Sequence, residues 1–325
     1  MSRLRLVTRL AFFTALLVAT SASAVSIDWV TVGNPGNACD TQSQGCFGAV
    51  AYTYRISKYE VTNAQYAEFL NAKAASDPWG LYNTSMAVTY GGITRGGTPG
   101  SYAYSAVAGR ENKPVNFVSF YDSLRFTNWL NNGQGSGDTE TGAYTLLGGT
   151  RFPSNGETVT RNASASIFLT SEDEWYKAAY YDAVSTNYDP FPFADGSTGP
   201  VCQIPAGTTS HSANCSNAVN NTTDVGAYTT APSASGTFDQ GGNVWEWNEA
   251  IESVSNRVYR GGNWNYSVGH LAASVRLSDH PTNENDSLGF RVAMIPEPGT
   301  GLLLGLGLAG LAAGQRRRDA ARSLW

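Results

Sequence analysis

Charge is scarce in this chain of 325 residues, where Asp, Glu, Lys and Arg together make up 14%. A protein that grips a phosphate backbone needs clustered Lys and Arg. The two ends hold seven Arg and one Asp; without them residues 25–298 keep 14 basic and 25 acidic side chains, a net charge of −11. Nucleic acid is therefore not an expected partner. Histidine is rarer still: His211, His270 and His280 are the only three, and each reads first as a surface or loop residue. Cysteine stops at Cys215. No Gly-rich phosphate loop, no Ser/His/Asp nucleophile motif and no solenoid-type repeat is present.

What is abundant is glycine, at 35 residues, and aromatics, at 12%. That profile suits a loop-rich extracellular fold, and the two ends agree. Arg3, Arg5 and Arg9 precede the apolar run Leu10–Ala19, which ends in Ala22-Ser23-Ala24. A basic region, a short apolar region and a small-x-small site in that order predict a signal peptide over 1–24, with the mature chain starting at Val25. At the other end Pro296-Glu297-Pro298 is followed by the apolar and glycine segment Gly299–Gly314 and by Arg316-Arg317-Arg318. The segment is slightly short for a membrane span, and the basic residues behind it hold that end on the cytoplasmic side. The order triplet, span, Arg cluster resembles the PEP-CTERM sorting signal. The resemblance implies recognition by an exosortase-type enzyme in a Gram-negative cell, with transient membrane anchoring of a 296–325 tail before it is processed.

The body, residues 25–295, reads as one α+β domain with few helices. Helices are expected over Thr62–Ala72, with Thr62 or Asn63 as N-cap, over Ser119–Leu130, where Ser119 and Asp122 have capping-box spacing, and from Thr170 or Ser171 onward, where Glu172, Asp173 and Glu174 favour a helix N-terminus. Long polar tracts at 80–112, 132–165 and 183–237 separate them. The four Cys enter an oxidising compartment. Closeness in sequence favours Cys39–Cys46 and Cys202–Cys215 among the three possible pairings.

An ordered series of short strings carries a second resemblance: Tyr59-Glu60-Val61-Thr62-Asn63, Pro114-Val115-Asn116, Phe168-Leu169-Thr170-Ser171-Glu172-Asp173-Glu174-Trp175, Gly242-Asn243-Val244-Trp245-Glu246-Trp247, Arg260-Gly261-Gly262-Asn263-Trp264 and Gly289-Phe290-Arg291. Together they resemble the formylglycine-generating enzyme, or sulfatase-modifying factor, domain from about Val30 to Ala293. The resemblance implies a C-type-lectin-like α+β core with little regular secondary structure. It also implies calcium at the Gly242 turn, held by the side chains of Asp239 and Glu246 and the carbonyls of Gly242 and Val244. Carboxylate and carbonyl oxygens there are hard donors suited to that ion. A carboxylate capping the turn without metal is the competing reading.

The family's enzymes oxidise a substrate cysteine with copper held by two thiolates shortly after the Arg-Gly-Gly motif, and Cu(I) requires such soft ligands. Here those two positions are Tyr266 and Leu271, so copper is not expected. His270, Asp279, His280, Asn283, Glu284 and Asp286 offer donors for another divalent metal. Arg260 and Arg291 read as structural ties, while Arg276, with Trp264, Asn265, Tyr266 and His270, is a candidate for lining a ligand groove. Aromatics beside amides suit sugar or peptide recognition. Two functions follow: an exported, non-catalytic cell-surface or matrix protein that binds a polysaccharide or protein, or an oxidoreductase of the formylglycine-generating type with a rearranged metal site.

Overall fold

Three reciprocal capping boxes start the three helices of the computed structural model, which describes residues 24–205, 209–253 and 255–296. The proposed signal segment up to residue 23 and the sorting tail from residue 297 lie outside the described residues. Helix α1 spans Asn63–Lys73 behind Thr62, whose hydroxyl accepts from the N–H of Gln65 while the Gln65 side chain accepts from Thr62. Helix α2, Phe120–Asn131, opens in the same way on Ser119 and Asp122, and α3, Glu172–Tyr180, on Ser171 and Glu174. Each box satisfies two N–H groups that a helix end leaves without partners. All three helices fall where the sequence predicts them, within a residue or two.

Two four-stranded sheets complete the frame. In chain order the strands are β1 (Trp29–Val32), β2 (Tyr54–Ser57), β3 (Ile167–Leu169), β4 (Trp245–Ser253), β5 (Asn256–Arg260), β6 (Leu277–Asp279), β7 (Leu288–Phe290) and β8 (Val292–Met294). The first sheet runs β1-β2-β8-β3, all antiparallel, so strands from the two ends of the domain pair directly, Ile56 opposite Ala293. The second runs β6-β5-β4-β7, with β4 and β7 parallel. Short ribbons such as Asp40–Gln42 with Gly45–Phe47, and Ile93–Gly96 with Ala103–Ala106, order parts of the polar tracts. Both disulfides form as expected, Cys39–Cys46 and Cys202–Cys215.

Aromatic residues fill the space between α1, α2 and β7. Tyr66, Phe69, Phe126, Trp129 and Phe290 pack with ring centroids 5.3–5.9 Å apart. Trp247 sits beside them against Phe120, its indole N–H donating to the Val118 carbonyl at 3.2 Å. No helix among the described residues is long and apolar enough to cross a membrane; the expected span belongs to the undescribed tail.

Buried arginines hold the long loops onto this core. Arg291 and Glu246, both fully buried, make a bidentate pair at 2.5 and 2.7 Å. The Trp175 indole N–H donates to the same carboxylate at 2.6 Å, and Arg291 also reaches the carbonyls of Ser57 and Phe238. The pair thus joins β2, α3, β4 and the segment entering β8. Arg257 works likewise, donating to the carbonyls of Glu249, Gly156, Glu157 and Val159. Such a guanidinium satisfies several loop carbonyls from one planar fork.

Two predictions follow from this packing. Glu246→Gln removes the counter-charge and leaves Arg291 buried and unpaired, so denaturant unfolding should show a loss of about 3–5 kcal/mol. The second concerns Asp122, whose carboxyl is pushed up to about 7, first by burial and then by the nearby charge of Glu284. A carboxyl that holds its proton more tightly when folded costs stability above that value and returns it as pH falls toward the unfolded value near 4. Thermal stability should therefore rise from pH 8 to pH 5, and Asp122→Asn should flatten that slope. Glu174, held below the usual carboxylate range by Arg161 despite its burial, acts in the opposite sense and loses its contribution in stronger acid.

Candidate functional site

The segment leaving β5 is shaped by two glycines. Gly261 and Gly262 have φ of 104° and 77°, and a Cβ would meet the Gln240 carbonyl at 2.8 Å and the Leu271 side chain at 2.7 Å. Only glycine takes that backbone so close to its neighbours. Asn263, buried behind them, accepts from the N–H groups of both Asn265 and Tyr266 at 3.1 Å, curling the chain outward. The loop is fastened from two sides. Gly242 donates to the Gly261 carbonyl and Trp264 to that of Asn243, while Ser216 and Asn217, next to the Cys202–Cys215 bridge, donate to the carbonyls of Tyr266 and Trp264.

This fastening sets out a run of aromatic rings. Trp264 is buried and stacks on Tyr90 at 5.2 Å and 24°. Tyr266, 42% exposed, meets His270 edge-on at 4.6 Å and Trp245 at 5.7 Å, and Trp245 meets Tyr259 at 5.3 Å. Asn265 is half-buried between them in sequence, its carbonyl accepting from the Asn217 side chain at 3.4 Å. Burial pushes the Tyr259 hydroxyl up to about 12, with Asp279 adding to it, so it stays a neutral donor. Tyr266 is the exposed ring of this group, while Trp245 and Trp264 are each 4% exposed.

Of the residues grouped with this surface by the sequence, Arg276 goes elsewhere. Its guanidinium pairs with Glu172 at 2.8 Å and with Glu252 at 2.9 Å and lies over Phe47. Glu172, at the start of α3, also holds the buried Arg260 at 2.7 Å. That carboxylate draws both arginines to the α3 side of the sheet. Tyr266 and His270 meet on the loop, while Trp264 is buried against Tyr90.

The two thiolate positions are filled by packing rather than left open. Leu271 is fully buried among Phe193, Ala213, Cys215, Tyr228 and Ala231, and Tyr266 is exposed and meets His270 edge-on. All four Cys are in disulfides, so the chain offers no thiolate. At the expected calcium set both Glu246 oxygens accept from Arg291, and one also accepts from Trp175; Asp239 accepts from the Gly226 N–H at 2.6 Å. The donors beyond His270 do not converge: Asp279 caps His280 and Asn283, His280 bonds Thr282, and Glu284 pairs with Arg151 and Asn83. Among the described residues no group of three His, Cys, Asp or Glu side chains is placed to hold a metal ion.

One feature escaped the sequence reading. A cavity of about 380 Å³ lies between the Cys39–Cys46 ribbon and the start of α3, lined by Phe47, Arg161, Glu172, Asp173 and Glu249 among others. The acidic start of α3 was legible, but Arg161 sits in a polar tract with no pattern around it. Only the fold brings it to Glu174 and Glu249, at 2.7 and 2.8 Å.

Known proteins match both the fold and the tail. Residues 295–318 match the PEP-CTERM protein-sorting motif, which marks the chain for export through an exosortase-type sorting system. Hercynine oxygenase of Mycolicibacterium smegmatis is 25% identical over 272 residues, 74% of this chain and 53% of that protein. Hercynine oxygenase of Mycolicibacterium thermoresistibile is 29% identical over 154 residues, 40% of this chain and 32% of that protein. The chain thus spans about half or less of the length of these curated relatives. Two solved structures share the fold. Treponema denticola variable protein 1 has a TM-score of 0.56 at 20% identity, covering 83% of this chain and 95% of that one. CarF has a TM-score of 0.52 at 19% identity, covering 83% and 98%. The α+β, C-type-lectin-like architecture expected from the ordered motifs is the one found. Residues 47–295 match the family described as the sulfatase-modifying factor enzyme 1-like domain, and the chain belongs to that family.

Proposed function

We propose that this domain is an exported, non-catalytic binding module that recognises a polysaccharide or protein at the bacterial cell envelope or surface. The observation that carries the reading is the state of the two thiolate positions. Leu271 is sealed into an apolar cluster and Tyr266 is turned onto His270. A soft-metal centre requires thiolate sulfur at these places. What stands there instead is an aromatic surface in a rigid, doubly fastened loop. Pre-ordered aromatic side chains favour binding because little conformational freedom remains to be lost on contact.

Export supports the same reading from a different direction. The sorting motif places the domain outside the cytoplasm, where an acidic, disulfide-bonded body with a fixed aromatic face meets envelope glycans and proteins. Anchoring through the apolar tail, and its later removal near Pro296-Glu297-Pro298, belong to this proposal.

The test uses the exported protein. Its copper and iron content and its ability to oxidise a cysteine-containing peptide should both be nil. Stoichiometric redox metal with turnover would instead establish an oxidoreductase. A glycan and peptide screen should find a ligand whose affinity falls about fivefold or more in Tyr266→Ala, the size of loss that marks a true contact residue. Unchanged binding by that variant rejects this surface.

A further inference from the structure

Among the described residues Val25 is the first whose side chain enters the core, at 9% exposure. Its backbone is held at both ends by one side chain 109 positions away. The Val25 N–H donates to Gln134 Oε1 at 2.7 Å, and Gln134 Nε2 donates to the Val25 carbonyl at 2.9 Å. Gln134 can reach because the turn leaving α2 is unusual. Gly133, Gln134 and Gly135 have φ of 82°, 65° and 53°, and the Gln134 N–H returns to the Trp129 carbonyl at 2.8 Å. A non-glycine residue at positive φ is uncommon and needs a reason. The grip on Val25 supplies one. The next residue is held as well, the Ser26 carbonyl accepting from Gln65 at 2.8 Å.

A cavity of about 120 Å³ lies beside this grip, lined by Ala24, Glu68, Ala72, Trp129 and the 133–135 turn. Glu68 is its only carboxylate. Ala24 closes the small-x-small pattern Ala22-Ser23-Ala24 that an export peptidase accepts.

We propose that hydrolysis of the Ala24–Val25 bond creates the group this seat is built to hold: the free α-ammonium of Val25. The Ala24–Val25 C–N bond breaks as water adds: its oxygen stays on Ala24 as the new carboxylate, and its two protons join the Val25 N–H to make the ammonium. One of its protons serves Gln134 Oε1, and Glu68, lining the cavity that Ala24 vacates, supplies the counter-charge. A hydrogen bond from an ammonium is stronger than one from a neutral amide, so processing tightens the seat. A peptidase needs the bond extended and accessible, hence the seat fills after cleavage and draws the chain into β1. The proposal rests on the export reading and is independent of what the aromatic surface binds.

The intact mass and N-terminal sequence of the exported protein should give Val25 as the first residue. Purified chains starting at Val25 and at Ala24 should then differ in melting temperature by about 2–4 °C in favour of Val25. That difference should vanish in the Gln134→Ala background. A chain cut at another bond overturns the proposal alone, while an exported chain that keeps Met1 overturns it together with the signal-peptide reading. A melting difference that persists without the Gln134 amide overturns the seat.

Discussion

Everything in this domain depends on one buried charge pair, Glu246 with Arg291. The carboxylate comes from the middle of the second sheet and the guanidinium from the residue before β8. Trp175 of α3 and the carbonyls of Ser57 and Phe238 close around them. A pair removed from water stabilises only if its remaining donors and acceptors are satisfied, and here they are. One interaction therefore brings together both sheets, a helix and a loop. The same device recurs at Arg257, Arg260 and Arg161, which is how a chain with so much irregular backbone keeps its loop carbonyls hydrogen-bonded.

The arrangement also decides what the site can do. Glu246 is committed to Arg291, and Glu172, committed to two arginines, pulls Arg276 away from the loop face. The double glycine still delivers the chain after β5 to the position where the family's chemistry takes place. At that position the side chains are a buried leucine and an exposed tyrosine.

Much of this was legible from residues alone, for physical reasons. The three helix starts were visible because a capping box is a local interaction within four residues, and Ser119 with Asp122 or Ser171 with Glu174 announce it. Gly242 announced a turn that other residues cannot make. The disulfide pairs followed from short loops in an oxidising compartment. What escaped were choices between partners distant in sequence. Nothing near Glu246 says that Arg291, 45 residues on, will claim both its oxygens, or that Glu172 rather than a ligand will hold Arg276. Trp264 likewise reads as a groove residue until Tyr90 is found stacked on it. The Gln134 grip on Val25 spans most of the first half of the domain and leaves no local pattern at all.

The central claim is that the face formed by Tyr266 and His270, backed by the buried Trp245, is the ligand surface. It is tested most directly by following the tryptophan indole N–H resonances while the exported protein is titrated with its envelope ligand. Trp245, in contact with the Tyr266 ring, should shift, while Trp175 and Trp247, whose indoles are tied to Glu246 and Val118 in the interior, should stay in place. Shifts centred on Phe47 and the start of α3, with Trp245 unmoved, would contradict the account.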